Sequence, residues 1–148
     1  MTTLPHRPTL GTAFACALLC SAALALATSP ACRAATVDIK VENVAGKGKV
    51  NVAVCDRERF LKQCSHTASV PAQAGAVTVS VPDVPAGTFA VVAYEDANDN
   101  GQLDRTLGIP TESWGMSRDA RANFGPPTFD DASIEVKEDP TVVSIRLR

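Results

Sequence analysis

The 148-residue sequence predicts an all-β fold, an antiparallel β-sandwich with one long ordered loop. Three observations support this prediction. Six segments are rich in β-branched and alternating apolar residues, turn residues separate them, and no segment has the period of a long amphipathic helix. The length suits a single domain, and a hydrophobic content of 45% excludes a disordered chain.

The first 34 residues have the organisation of a secretory signal peptide. His6 and Arg7 precede an uncharged run rich in Ala and Leu, and a helix-breaking Pro and small residues follow it. The run from Leu10 to Ala27 is close to membrane-spanning length, so a permanent membrane anchor is the alternative. The Ala content and the small residues favour cleavage after Ala34. We therefore expect a periplasmic or secreted domain of residues 35–148, with no membrane span after cleavage.

Removal of the leader changes the formal charge from −2 to −4, because Arg7 and Arg33 leave with it and no acid does. A mildly acidic exported domain is a poor binder of nucleic acid, since the phosphate backbone attracts basic surfaces. The sequence therefore argues against a nucleic-acid partner.

Two of the five cysteines, Cys55 and Cys64, remain in the mature chain. Two cysteines in an oxidising compartment are typical of one disulfide. A zinc or redox pair is the alternative, but the spacing is not that of a CxxC motif, and His66 is the only mature histidine. We expect a Cys55–Cys64 bridge.

The strand predictions follow from period-two alternation of apolar and polar residues. In the first segment Val37, Ile39 and Val41 alternate with charged residues, and a Gly-rich turn leads into the second, with which it is expected to form a hairpin. The fourth predicted strand, 88–96, is apolar almost throughout, as a central strand covered on both faces is. The last two are expected to form a closing hairpin. The predicted strands are 36–44, 50–56, 76–84, 88–96, 132–137 and 141–147.

Between the second and third predicted strands, Phe60 and Leu61 are expected to cover the edge of the core. A much longer connection, residues 97–131, follows the central strand and is called the long loop below. Its length marks it as functional or as an ordered excursion. Its aromatic residues either anchor it to the sandwich or form a shelf for a ligand. These aromatics are Trp114, Phe124 and Phe129.

The end of the central strand and the start of the long loop together read "YEDANDNGQLD" (94–104), which resembles the calcium-loop template D-x-[DN]-x-[DN]-G. A hard cation needs several oxygen ligands within a tight loop, and polar residues at every second position supply them. Leu107 stands where the full template has Glu, so Glu112 is the nearest downstream carboxylate that could complete the shell. The predicted calcium ligands are Asp96, Asn98, Asn100, the backbone carbonyl of Gln102, Asp104 and Glu112.

Two other interpretations of this segment remain open. Asn100–Gly101 is a strong signal for a type I′ hairpin turn, in which case the acids are only solvated. An enzyme would instead use loop carboxylates as general acid and base, with a nearby arginine holding an anion. The residues for that chemistry are Asp96, Asp104, Glu112, Arg118 and Arg121, and the sequence has no Gly-x-Ser-x-Gly elbow.

The run from 84 to 132 carries the segments "PAGTFAV", "DANDNGQLD", "GIPTE", "WGMS" and "FGPPTFDDA" in a fixed order. It closely resembles the bacterial exported proteins of domain-of-unknown-function family 2141. The resemblance implies an immunoglobulin-like or prealbumin-like β-sandwich without an established activity. The family often has His where Glu95 stands, so chemistry that depends on His is not transferred to this chain.

These expectations describe an exported envelope protein, a non-catalytic binding or structural module with a calcium-stabilised acidic loop. Its partner would be an envelope protein or a polysaccharide. The alternative is a small exported hydrolase that uses the carboxylates of the acidic loop.

Overall fold

The computed structural model describes residues 34–121 and 125–148, and ten β-strands lie within these ranges. The signal-peptide prediction, except for Ala34, and the anchoring prediction for Phe124 lie outside the described residues. A 3₁₀ turn, Ser117–Asp119, and one short helix, α1 (Phe129–Ala132), accompany the strands. The strands are β1 (Ala34–Val44), β2 (Lys49–Cys55), β3 (His66–Pro71), β4 (Gly75–Pro85), β5 (Gly87–Asp96), β6 (Arg105–Thr106), β7 (Ile109–Pro110), β8 (Trp114–Met116), β9 (Ser133–Val136) and β10 (Thr141–Arg146).

The strands form two main sheets that pack as a sandwich, which confirms the predicted all-β fold. The first sheet has the order β10–β1–β4, and the second has the order β3–β2–β5–β8, with β9 also paired to β5. β6 and β7 form a separate two-stranded hairpin. Among the described strands, β1 and β10 are parallel and the other pairs are antiparallel.

The core between the sheets is built from the residues whose alternation predicted the strands. Ile39 of β1 and Val52 of β2 are at most 2% exposed, and their neighbours two positions away are buried in the same way. Because successive side chains of a strand point to opposite faces, every second residue enters this core. Burying each such aliphatic side chain stabilises the fold by about 1.5–3 kcal/mol.

β5 is covered on both faces, as predicted for a central strand. Val91 and Ala93 enter the main core, whereas Ala90 points the other way and packs with Phe129 in a second, smaller cluster. Phe60 meets the Phe129 ring edge-on, with ring centroids 5.7 Å apart. Phe129 therefore anchors the long loop.

Leu61 does not cover the core edge, and that part of the prediction is wrong. Its side chain is 40% exposed, while its neighbour Phe60 is partly buried against the smaller cluster. Leu61 has a positive φ of 56°, so the backbone turns there and directs the two side chains differently.

Both predicted hairpins are wrong. β1 pairs with β4 and β10 in the first sheet, while β2 pairs with β3 and β5 in the second. β9 and β10 likewise lie in different sheets. The reason at the first connection is a carboxylate from β5. Glu95 accepts hydrogen bonds from the backbone N–H groups of Ala45 (2.8 Å) and Lys47 (2.7 Å), and so holds the chain where it crosses between sheets.

β3 was not predicted, because its sequence lacks a buried apolar face. Its residues alternate between half-buried and exposed, as expected for a strand at the edge of a sheet.

The disulfide prediction is confirmed: Cys55, at the end of β2, is bonded to Cys64, and their Cα atoms are 4.8 Å apart. No helix in ranges 34–121 and 125–148 is both long and apolar enough to cross a membrane.

Candidate functional site

The acidic loop, residues 96–104, begins where β5 leaves the second sheet. Asp96 is fully buried, and its two carboxylate oxygens accept hydrogen bonds from backbone N–H groups of the turn that follows β5. Oδ1 accepts from the N–H of Asn100 (3.0 Å) and Oδ2 from the N–H of Gly101 (2.7 Å). Positive φ angles at Asp99 (58°) and Gly101 (78°) turn the backbone toward this carboxylate. Asp96 therefore organises the first half of the loop.

The environment keeps Asp96 ionised. Burial raises the pKa of its carboxyl, but hydrogen bonds from the backbone of Gly101 and Asn100 and from the Asn51 side chain outweigh this effect. The net pKa of Asp96 lies below its ordinary value. The loop thus contains a fixed negative charge at neutral pH.

The second half of the acidic loop is held by amide side chains around Asp104. Asn98 donates from Nδ2 to Asp104 Oδ2 (2.7 Å), and Asn100 donates from Nδ2 to Asp104 Oδ1 (2.9 Å). The oxygen of the Asn100 amide accepts from the backbone N–H of Gln102 (2.8 Å). These contacts bring the alternating polar residues of the template into one hydrogen-bonded network.

Glu112 folds back onto the acidic loop, as the sequence suggested. Its Oε1 accepts from the N–H of Ala97 (2.9 Å) and its Oε2 from the N–H of Asp104 (3.0 Å). One carboxylate thus joins the two ends of the loop.

The network differs in detail from a metal site. Within the described part of the chain, no group of three or more His, Cys, Asp or Glu side chains is arranged to hold a metal ion. The amide nitrogens of Asn98 and Asn100 face Asp104, and a cation would require amide oxygens there. The N–H of Gln102 donates to Asn100 Oδ1, and the use of the Gln102 carbonyl as a calcium ligand stays a prediction.

The predicted type I′ turn at Asn100–Gly101 is wrong. A type I′ turn requires positive φ at both central residues, and here the positive angles belong to Asp99 and Gly101. A turn with two positive angles occurs instead at Leu107 (52°) and Gly108 (83°), where it joins β6 to β7. The Asp96 carboxylate accepts from the N–H groups of Asn100 and Gly101, and these hydrogen bonds hold the backbone in a turn in which Asp99, not Asn100, has a positive φ.

The arginines considered for catalysis contact other parts of the surface. Arg118 donates to the backbone oxygen of Asp130 (3.3 Å), and Arg121 forms an ion pair with Asp119 (2.9 Å). Asp119 also pairs with Arg148. Arg121, Asp119 and Arg148 thus form a salt-bridged surface cluster, and the hydrogen bonds of Arg118 and Arg121 do not reach the acidic loop.

Sequence reasoning missed an apolar groove on the outer face of the second sheet. The groove contains a cavity of about 530 Å³, and β5, β8, the loop closed by the Cys55–Cys64 disulfide and the long loop all contribute to it. The sequence signal that could have indicated it is "TLGIP", because Leu107 and Ile109 stand at a β-turn where polar residues are usual. The residues that define the apolar groove are Leu61, Val92, Leu103, Ile109, Trp114 and Met116.

The comparison with known proteins gives a family and no function. No curated protein and no solved structure matches this chain. A family model described as "Uncharacterized protein conserved in bacteria (DUF2141)" matches residues 39–144, which span β1 to β10 and include the whole acidic loop. The chain belongs to this uncharacterised bacterial family.

Proposed function

We propose that the protein is a non-catalytic binding or structural module, exported to the bacterial envelope, whose acidic loop is stabilised by calcium. An envelope protein or a polysaccharide would be its partner. The observation that carries the proposal is that the carboxylates of the acidic loop bind the backbone of the loop itself. Asp96 and Glu112 bind backbone N–H groups through both oxygens, so they shape a surface loop.

A non-catalytic role agrees with the position of these carboxylates. A general acid or base must reach a proton of the substrate, and its pKa is normally tuned toward the working pH. Asp96 is buried, and its pKa is shifted away from neutrality. Its arrangement therefore suits a structural anion better than an acid–base group.

The donor set of the acidic loop is compatible with a weak calcium site. Asp96, Asn98, Asn100, Asp104 and Glu112 provide the hard oxygen atoms that calcium prefers, and hydrogen bonds already link them. The oxygen and nitrogen of an amide are almost equal in size, so a half-turn of Asn98 and Asn100 would present oxygens to a cation. That turn breaks existing hydrogen bonds, and we expect a dissociation constant of about 10⁻⁴ to 10⁻³ M.

The test is a thermal melt of the exported protein in a chelator and in millimolar calcium, with magnesium and sodium chloride as ion controls. Calcium should raise the melting temperature, because an ion that binds only the folded state stabilises it. Asp104→Asn removes one charge from a half-buried side chain and should abolish the rise, as should Asp96→Ala. Asp119→Ala, outside the acidic loop, should retain it. Equal shifts with calcium, magnesium and salt would refute the calcium proposal.

A further inference from the structure

The apolar groove is open to solvent and large enough for a small molecule. Its cavity of about 530 Å³ falls in the range of roughly 300–1,000 Å³ that is common for ligand sites. Val92 and Trp114 lie along it, on β5 and β8, so rigid strands form one side. Leu61 comes from the loop closed by the Cys55–Cys64 disulfide, and Leu103 comes from the acidic loop.

Exposed apolar side chains are concentrated at the groove. Of the described residues, four large hydrophobic side chains are exposed: Leu61 (40%), Leu107 (97%), Ile109 (70%) and Val142 (72%). Leu61 and Ile109 line the groove, and Leu107 lies at the tip of the β6–β7 hairpin beside it. Exposed hydrophobic side chains that cluster at a cavity indicate an interaction site, whereas single ones, such as Val142, are ordinary.

The charge of the groove is opposite to that of the domain. Arg105 lines the cavity, and Lys62 lines an adjoining depression that shares Leu61, Val92 and Leu103 with it. No Asp or Glu side chain is among the described residues that line these two depressions. Arg105 has no ion-pair partner in ranges 34–121 and 125–148. A cation in an apolar site, on a chain with net negative charge, favours a ligand that has both an apolar body and an anionic group.

We propose that the apolar groove binds an anionic amphiphile, a molecule with one alkyl chain and an acidic head group. The chain lies against Trp114, Val92 and Leu103, and the head group reaches Arg105 at the edge of the cavity. A bare polysaccharide fits this site less well, because its many hydroxyl groups would lose water against apolar walls. The inference names a ligand for the binding module proposed above, and its test needs no calcium, so each proposal can fail separately.

Trp114 is the only tryptophan of the sequence, so its fluorescence reports on the groove directly. The exported protein is titrated with decanoate below the concentration at which micelles form. Decanol and decyltrimethylammonium serve as neutral and cationic probes of the same chain length. Decanoate should give a saturable change in Trp114 fluorescence, with an affinity about three- to tenfold above that of decanol and further above that of the cation.

Two variants separate the head-group contact from the chain contact. Arg105→Gln should remove the preference for decanoate over decanol while leaving decanol binding unchanged. Ile109→Ser should weaken all three probes, because it removes apolar surface from the groove. Matched controls on β10 are Arg146→Gln and Val142→Ser, which change an exposed arginine and an exposed aliphatic residue outside the groove. Both controls should bind as the unmodified protein does.

The proposal is overturned if decanoate gives no saturable signal, or if Arg105→Gln keeps the full preference for decanoate. It is also overturned if the β10 controls weaken binding as much as the groove variants, since binding would then be non-specific. If a peptide or an oligosaccharide changes the fluorescence of Trp114 and decanoate does not, the groove binds a different class of ligand and the proposal is wrong.

Discussion

Trp114 and Arg148 exchange both of their backbone hydrogen bonds, each 3.1 Å long. Trp114 belongs to β8 of the second sheet, and Arg148 follows β10 of the first. The pair therefore closes the sandwich along one edge and fixes Trp114 beside the apolar groove. The backbones approach closely here, and the next residue along β8 is a glycine, Gly115.

Gly115→Ala should destabilise the protein by about 1–3 kcal/mol, the usual cost of overpacking. A Cβ atom at Gly115 would lie 2.5 Å from the backbone oxygen of Arg146 and 2.8 Å from Ile145 Cγ2, so the edge of the sandwich must open. Urea unfolding measures the change. Gly75→Ala is the control, since an added Cβ there meets nothing within 4 Å and the only cost is its positive φ of 99°. Equal losses in the two variants would contradict the close-packing argument.

Glu95→Gln should lower the free energy of unfolding by about 1–3 kcal/mol. Glu95 is 3% exposed and accepts from the N–H groups of Ala45 and Lys47, and an amide can satisfy only one of these donors with its oxygen. Chemical denaturation gives the change. Glu135→Gln, at an exposed position on β9, should have a much smaller effect. If the two substitutions cost the same, Glu95 does not hold the connection between β1 and β2.

Asp96 should make stability depend on pH in the acid range. Its folded pKa lies below the ordinary value, so its contribution is fully present above about pH 4 and is lost as the pH falls through the folded pKa. Urea denaturation of the unmodified protein and of Asp96→Asn, measured at several pH values from 6 to 2, gives the free energy of unfolding of each. The difference between the two proteins should shrink on acidification. Asp139→Asn, at an exposed position, is the control. A difference that stays constant with pH would disprove the role of the Asp96 charge.

Reduction of the Cys55–Cys64 disulfide should lower the free energy of unfolding by about 2–3 kcal/mol, on the chain-entropy model for a loop of this size. Denaturation with and without reductant measures the loss. The double variant Cys55→Ala/Cys64→Ala should reproduce it and should no longer respond to the reductant. A further loss in the double variant on adding reductant would mean that the reductant acts elsewhere.

Cleavage after Ala34 should give an exported protein that begins at Ala35, which intact-mass measurement of the exported product tests. This site would leave the buried part of β1 intact, because Ala35 is 5% exposed and Val37 is fully buried. Recovery of the uncleaved chain in the membrane fraction would favour the anchor instead.

The alternation of apolar and polar residues was sufficient to predict most of the strands that build the core. Val37, Ile39 and Val41 alternate with polar residues, and this local pattern decides which side of a strand is buried. The Cys55–Cys64 bridge followed from composition, and the return of Glu112 to the acidic loop followed from its place as the nearest downstream carboxylate.

The pairing of the strands and the contacts of the polar side chains depend on residues that are distant in sequence, so local patterns did not predict them. Backbone hydrogen bonds are the same for every residue except proline, so alternation does not distinguish β4 from β2 as the neighbour of β1. Glu95 and Asp96 are adjacent acids in the sequence, yet one binds the β1–β2 connection and the other binds the acidic loop. They do so because neighbouring residues of β5 point to opposite faces of the sheet. The apolar groove likewise depends on residues that are distant in sequence, from Leu61 to Met116, which only the folded chain brings together.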